Sequence, residues 1–250
     1  MIKTSLLFAA SVMFVVTGCS SVSDVSTSLK ARQVALSPFI QHRAEMKPQR
    51  ERAPFALVWV NPTLPERRAH YSSIYVAPVS TRYLRPAKTT LSGNVTGQPN
   101  KPRPVAEIAG LLRHSFEDAF MRSPNARVRL THTPQQGGVT LTLALIELNP
   151  TDATGNVVKT AVPYGGVLSP FTGGNIAIEG QVRDNVTGEV LFEFADNEKD
   201  KMSLASVRDF SPLEHAKVSI KEWAQQFEEL TRTSRSHKVE DSLFFTLNPL

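Results

Sequence analysis

"GNIAIEGQVRDNVTGEVLFEFAD", residues 174–196, decides the fold. Ile176, Ile178 and Val182 fall on alternate positions, and Val190, Phe192 and Phe194 do so again on the way back. Successive side chains of a strand point to opposite faces, so each run offers one apolar face. Between them "DNVTGE" turns at Thr187-Gly188, where a glycine tolerates the backbone that a tight reversal needs. The stretch predicts a β-hairpin over residues 176–195.

Working outward, "VTLTLALIELN" (139–149) is the clearest strand, with Val139, Leu141, Leu143 and Leu145 on one face and Thr140 and Thr142 on the other. "ARVRLTHT" (126–133) alternates Val128, Leu130 and His132 against Arg127, Arg129 and Thr131. "YSSIYVAPVS" (71–80) sets Ile74 and Val76 against Tyr75 and Ala77 and stops near Pro78, and "FALVWVNP" (55–62) is an apolar extended piece ended by Asn61-Pro62.

Two segments carry the helical period instead. In "VAEIAGLLRHSFEDAF", Ile108, Leu111, Leu112, Phe116, Ala119 and Phe120 form one stripe, opened by Pro104 and closed by Ser123-Pro124-Asn125. Near the end, Leu213, Ala216, Ile220, Trp223, Phe227 and Leu230 recur at steps of three and four. Ser211-Pro212-Leu213-Glu214 matches a capping box with Ser211 as N-cap. From Tyr71 onward the order is β–α–β–β–β–β–α, which gives an α+β fold: a mainly antiparallel sheet with helices packed on one face. It is expected over residues 54–235 as one periplasmic domain, with a C-terminal tail at 236–250.

The leading residues read differently. Lys3, an apolar run over residues 6–16 and Thr17-Gly18 have the layout of a secretory signal, too short to span a membrane comfortably. Val16-Thr17-Gly18-Cys19 resembles the bacterial lipobox, and Cys19 is the only cysteine of 250 residues. That resemblance implies a signal peptide over residues 1–18, acyl chains such as palmitate on Cys19, and cleavage before it. Each buried CH₂ is worth about 0.8 kcal/mol, so two or three chains hold a protein on a membrane where one does not. Ser20 follows, where an aspartate would resemble the inner-membrane retention signal. The expected location is therefore the periplasmic face of the outer membrane. Residues 19–53 are expected to form the lipidated cysteine and a flexible tether, spanning on the order of 30 Å on average.

"YSSIYVAPV", the hairpin with its Asp184-x-x-Thr187-Gly188-Glu189 turn, and "SIKEWAQQF" resemble a large family of Gram-negative lipoproteins catalogued as a domain of unknown function. The order of elements is also similar to periplasmic accessory lipoproteins such as the curli-secretion subunit, the amino-terminal domain of the Tol translocation protein and auxiliary lipoproteins of lipid transporters. That resemblance implies action by binding a partner, and a fold alone does not fix function.

Catalytic signatures are missing from the sequence: it has no Gly-x-Ser-x-Gly elbow, P-loop, dinucleotide glycine motif or His-Glu-x-x-His helix. His114 and Asp118, four apart on one helix, read as a surface pair rather than a dyad. Asp196, Glu198 and Asp200 fail the EF-hand pattern, because Lys201 stands where glycine is needed and Val207 where glutamate is needed. They read as a solvated loop after a strand. No cofactor or metal is expected beyond the lipid on Cys19.

Residues 30–105 hold 13 Lys/Arg against 3 acids, and residues 106–250 hold 14 against 19. A basic leading half near a membrane suits a soluble linker or an anionic envelope component. No nucleic-acid partner is expected, since export removes the chain from it and no stacking motif occurs. The loop "AVPYGGVLSPFTGGN" (161–175) is expected either to offer Tyr164, Val167, Leu168 and Phe171 as partner or membrane contacts or to fold back on its own core, and the long basic loop at 81–104 is a further candidate contact. The tail "SLFFTLNPL" (242–250) could add an edge strand, and pairing of sheet edges would make a homo-oligomer.

The expectation from sequence is an outer-membrane lipoprotein whose periplasmic domain binds another envelope component without catalysis. The alternative is a lipid or small-molecule carrier with a pocket lined by Phe116, Phe120, Phe192 and Trp223. A hydrolase built around His132 is a third.

Overall fold

The computed structural model describes residues 35–49, 51–86, 102–149, 175–199, 213–234 and 236–241. The hairpin forms as the alternation predicts. β5 (Asn175–Asp184) pairs antiparallel with β6 (Val190–Lys199), and Gly188 turns the chain with φ of 70°. A bulge at Leu191 puts two successive residues, Leu191 and Phe192, into the same core. At Gly180 the apolar alternation of β5 has a gap. The ring of Phe194, its cross-strand partner, lies there, so close that a Cβ would meet it at 2.1 Å.

β6 continues to β1 (Leu57–Val60), and β5 continues to β4 (Gly138–Asn149), both antiparallel. β2 (Ser73–Val76) and β3 (Arg129–Thr131) complete the sheet in parallel, in the order β1-β6-β5-β4-β2-β3. Among the described residues, six strands, mostly antiparallel, are thus joined by three helices: α1 (Leu64–Arg67), α2 (Pro102–Arg122) and α3 (Glu214–Arg232). The α+β class read from the sequence holds.

The long helices bury the stripes that defined them. Ile108, Leu112, Phe116 and Phe120 of α2 meet Ala216, Ile220, Trp223 and Phe227 of α3 over one sheet face. Each large side chain so covered contributes about 1.5–3 kcal/mol of hydrophobic stabilisation. α2 begins at Pro102, so Pro104 lies in its first turn, where a missing N–H costs nothing. α3 begins at Glu214 with Leu213 at the cap and no side-chain cap bond. This is later than the capping box predicted, whose Ser211 and Pro212 lie outside the described residues.

The tether expectation needs correction from residue 35 onward. Residues 35–49 cross the sheet face opposite the helices, where Ile40 and Met46 pack on Leu57, Trp59 and Val190. Lys47 pairs with Val58 along the outer side of β1, its N–H and C=O both 2.9 Å from their partners. The folded chain therefore begins well before residue 54. Its tail is also partly docked: Val239 is buried and donates its N–H to the Arg52 carbonyl. Cys19, the signal segment, the loop bearing Tyr164, Val167, Leu168 and Phe171, most of the 81–104 loop and residues 242–250 lie outside the described residues.

Candidate functional site

Among the described residues, three polar clusters and a cavity are candidate places for function. The first cluster explains the Asp-x-x-Thr-Gly-Glu turn. Asp184 Oδ1 accepts the N–H groups of Val186 (2.7 Å) and Thr187 (3.0 Å), the local bonding that suits aspartate to turns. Its other oxygen accepts from the Tyr71 hydroxyl at 2.8 Å and from Arg67 at 2.7 Å, and Arg67 also reaches Glu189. Burial would raise the Asp184 carboxyl, but the Thr187 and Val186 N–H groups, Tyr71 and Arg67 outweigh it and hold it below the usual range. Burial and the bond to Asp184 push Tyr71 up to about 12. This cluster ties the hairpin to the α1 region and leaves no group poised for proton transfer.

The second cluster lies under residues 35–49. Glu179, Gln181 and Glu193 are nearly inaccessible, although strand alternation puts them on the face away from the helices. Glu179 accepts from the Ser37 N–H (2.7 Å) and hydroxyl, and Glu193 from the N–H groups of Gln41 (2.8 Å) and His42 (2.9 Å). His42 Nδ1 and Gln181 Nε2 also donate to Glu193, while the His42 ring stacks on Trp59 at 3.5 Å. Burial raises the Glu179 carboxyl, and its bonds to Ser37 only partly counter this. Buried carboxylates facing backbone N–H groups are charge-assisted fasteners.

The third cluster corrects the expected solvated loop after β6. The strand runs on to Lys199, and its residues face α3: Asp196 accepts the Trp223 indole N–H at 2.8 Å and Glu198 the Ser219 hydroxyl at 2.7 Å. Burial, with Glu198 and Asp241 nearby, pushes Asp196 up to about 8. Among the described residues no group of three His, Cys, Asp or Glu side chains is placed to hold a metal ion.

The cavity, about 160 Å³, opens between the sheet, α1 and the end of α3. Its walls are apolar, including Ile74, Val182, Leu191, Phe192, Phe227 and Leu230. Three arginines join them (Arg52, Arg68 and Arg127), and no acid does. Arg68 donates to the Thr231 and Thr233 carbonyls, and Arg127 to those of Thr231 (3.0 Å), Arg68 (2.8 Å) and Tyr71 (3.2 Å). Cations thus sit at the negative end of the α3 dipole. Desolvation lowers the Arg127 pKa.

Of the pocket residues expected from sequence, only Phe192 lines this cavity. Phe116, Phe120 and Trp223 are packed elsewhere in the core, with Phe116 and Phe120 against Phe227. His114 pairs with Glu117 at 3.1 Å rather than with Asp118, which pairs with Arg122. His132, the seed of the hydrolase alternative, is exposed. The sequence did not single out Arg68, Arg127 or the cavity, because their partners are carbonyls that leave no mark in residue identity.

A mixed sheet with two long helices on one face and an N-terminal strap on the other defines the class: an α+β domain. The chain belongs to a family described as protein of unknown function (DUF3313), whose model matches residues 35–227. No curated protein matches it in sequence. Among solved structures it is similar to a PelC dodecamer from Paraburkholderia phytofirmans, at 10% identity and a TM-score of 0.39, covering 71% of this chain and 96% of that one. Protein XCC0632 from Xanthomonas campestris matches at 13% identity and a TM-score of 0.38, covering 64% of this chain and 83% of that one. The hypothetical protein CT253 from Chlamydia trachomatis matches at 10% and 0.34, over 64% and 98%.

Proposed function

We propose that this protein is a lipid-anchored, non-enzymatic binding component on the periplasmic face of the outer membrane. The observation that carries the binding role is how the described residues use their polar groups. Asp184, Glu179, Glu193 and Asp196 fasten one chain segment to another, whereas the cavity beside α3 is apolar and basic. Such a void suits recognition better than proton transfer. The Val16–Cys19 lipobox supports the anchor, and Cys19 carries the lipid. Tyr164, Val167, Leu168 and Phe171 are the proposed contact for an envelope protein or a second copy of the chain. Anchoring raises effective concentration, so a modest affinity suffices. The cavity also favours a second reading, carriage of a small apolar ligand.

In-cell cross-linking of the full-length protein, beside a Cys19→Ser form exported with a conventional cleavable signal, tests this. Membrane fractionation of the first but not the second, with a specific envelope protein captured, is the expected result. A full-length protein that fractionates as soluble, with an unmodified Cys19, would remove the anchor from the proposal.

A further inference from the structure

We infer that the cavity beside α3 receives the hydrocarbon chain of an anionic amphiphile, with the acidic head at Arg127. This rests on the second reading above, carriage of a ligand in the cavity, and names its ligand class. Size sets the chain: an apolar cavity of about 150 Å³ accepts a benzene ring, so this one holds about six carbons, with the rest of the chain in the mouth. Apart from the arginines, the lining's polar side chains are Gln49, Tyr71 and Thr231, and the rest of the wall is apolar. The Tyr71 ring lines the cavity, but its hydroxyl is occupied by Asp184, and Leu191 and Phe227 present only carbon.

Charge sets the head. The lining holds three guanidinium groups and no carboxylate. Arg127 donates only to neutral carbonyls, so its charge has no acidic partner among the described residues. Arg127 is exposed while it lines the cavity, so an arriving anion can reach it, and its bonds to the Thr231, Arg68 and Tyr71 carbonyls hold the guanidinium in place. A planar guanidinium with five donors retains capacity after these bonds, and both carboxylate and phosphate match its geometry. A neutral or cationic amphiphile gains the same burial but not this pairing.

Binding is measured by titration calorimetry on the Cys19→Ser chain exported with a conventional cleavable signal, purified without detergent. The probes are decanoate, decyl phosphate, decanol and decylammonium below their micellar concentrations, with acetate and inorganic phosphate as chainless anions. At least one decyl anion should bind about tenfold or more tighter than decanol, the size of one charge-assisted bond. The stronger of the two distinguishes a carboxylate from a phosphate head. Decylammonium should bind no tighter than decanol, and the chainless anions should not register. Arg127→Gln should bring the anion-to-alcohol ratio near one while decanol still binds, a change that loss of a structural bond would not produce. Leu230→Trp and Val60→Phe each fill the cavity and should abolish binding; two fillers are made so that one misfolded variant is not decisive. Equal affinity for decanoate, decyl phosphate and decanol would overturn the head assignment. Unaltered binding in both folded fillers, or no binding of any amphiphile, would overturn the site, and capture of an envelope protein by the anchored chain would still stand.

Discussion

Glu193→Gln tests whether two buried glutamates hold the N-terminal strap. The wild-type carboxylate is fully buried and accepts from four donors: the N–H groups of Gln41 and His42, His42 Nδ1 and Gln181 Nε2. An amide of the same shape offers one accepting oxygen and turns its NH₂ toward the others. About two of the four bonds are lost, each worth about 1–1.5 kcal/mol, so a loss of about 2–3 kcal/mol is expected. Ile40 and Met46 remain as apolar anchors, so the strap should loosen before the sheet unfolds. Urea unfolding followed by far-UV circular dichroism gives the stability change, and limited trypsinolysis at Arg43 reports strap release. Glu66→Gln, on an exposed side chain, is the control. An unchanged urea midpoint together with unchanged cleavage would refute the fastening role.

Asp196→Asn should change the pH dependence of stability. The native carboxyl sits near 8, above its unfolded value, so its contribution is complete below about pH 4 and is lost as the pH rises to about 8. The limit is about 1.4 kcal/mol per pH unit. That slope holds between the two values, because the native carboxyl stays protonated there while the unfolded one does not. The variant keeps an oxygen for Trp223 and should be the more stable protein at pH 8; parallel wild-type and variant profiles would count against the argument. Gly180→Ala drives a Cβ into the Phe194 ring, which also stacks on Phe55 at 4.4 Å, and should cost about 1–3 kcal/mol by chemical denaturation. A wild-type midpoint would show that the ring does not lie over the glycine. Asp184→Ala should cost about 2–4 kcal/mol and Asp184→Asn, which keeps the Val186 and Thr187 acceptor, about 1. Equal losses would place the value of the residue outside the turn.

Periodicity predicted the architecture closely, because a strand or helix with one covered face writes its period into the sequence. The hairpin, β4, the stripe of α2 and the stripe of α3 all lie where alternation put them. β3 is shorter than the alternation over 126–133, covering only Arg129–Thr131, since pairing with β2 ends there. The strand at Asp196 was mistaken for a loop because its charges point at Trp223 and Ser219, partners that no local pattern reveals.

By itself the sequence determined the strands, the two long helices and the turn at Gly188, all of them local signals. Only the tertiary structure decided what covers the second sheet face. Glu179, Gln181 and Glu193 have the polar-outward pattern of a solvated surface, yet they lie under residues 35–49. The bond from Ser37 to Glu179 spans 142 positions. Buried and exposed glutamates have the same letter, and what separates them is a backbone N–H brought from far along the chain. The cavity arose in the same way: apolar residues of β2, β5, β6 and α3 each read as core, and only their assembly left a space between them with arginines at its edge.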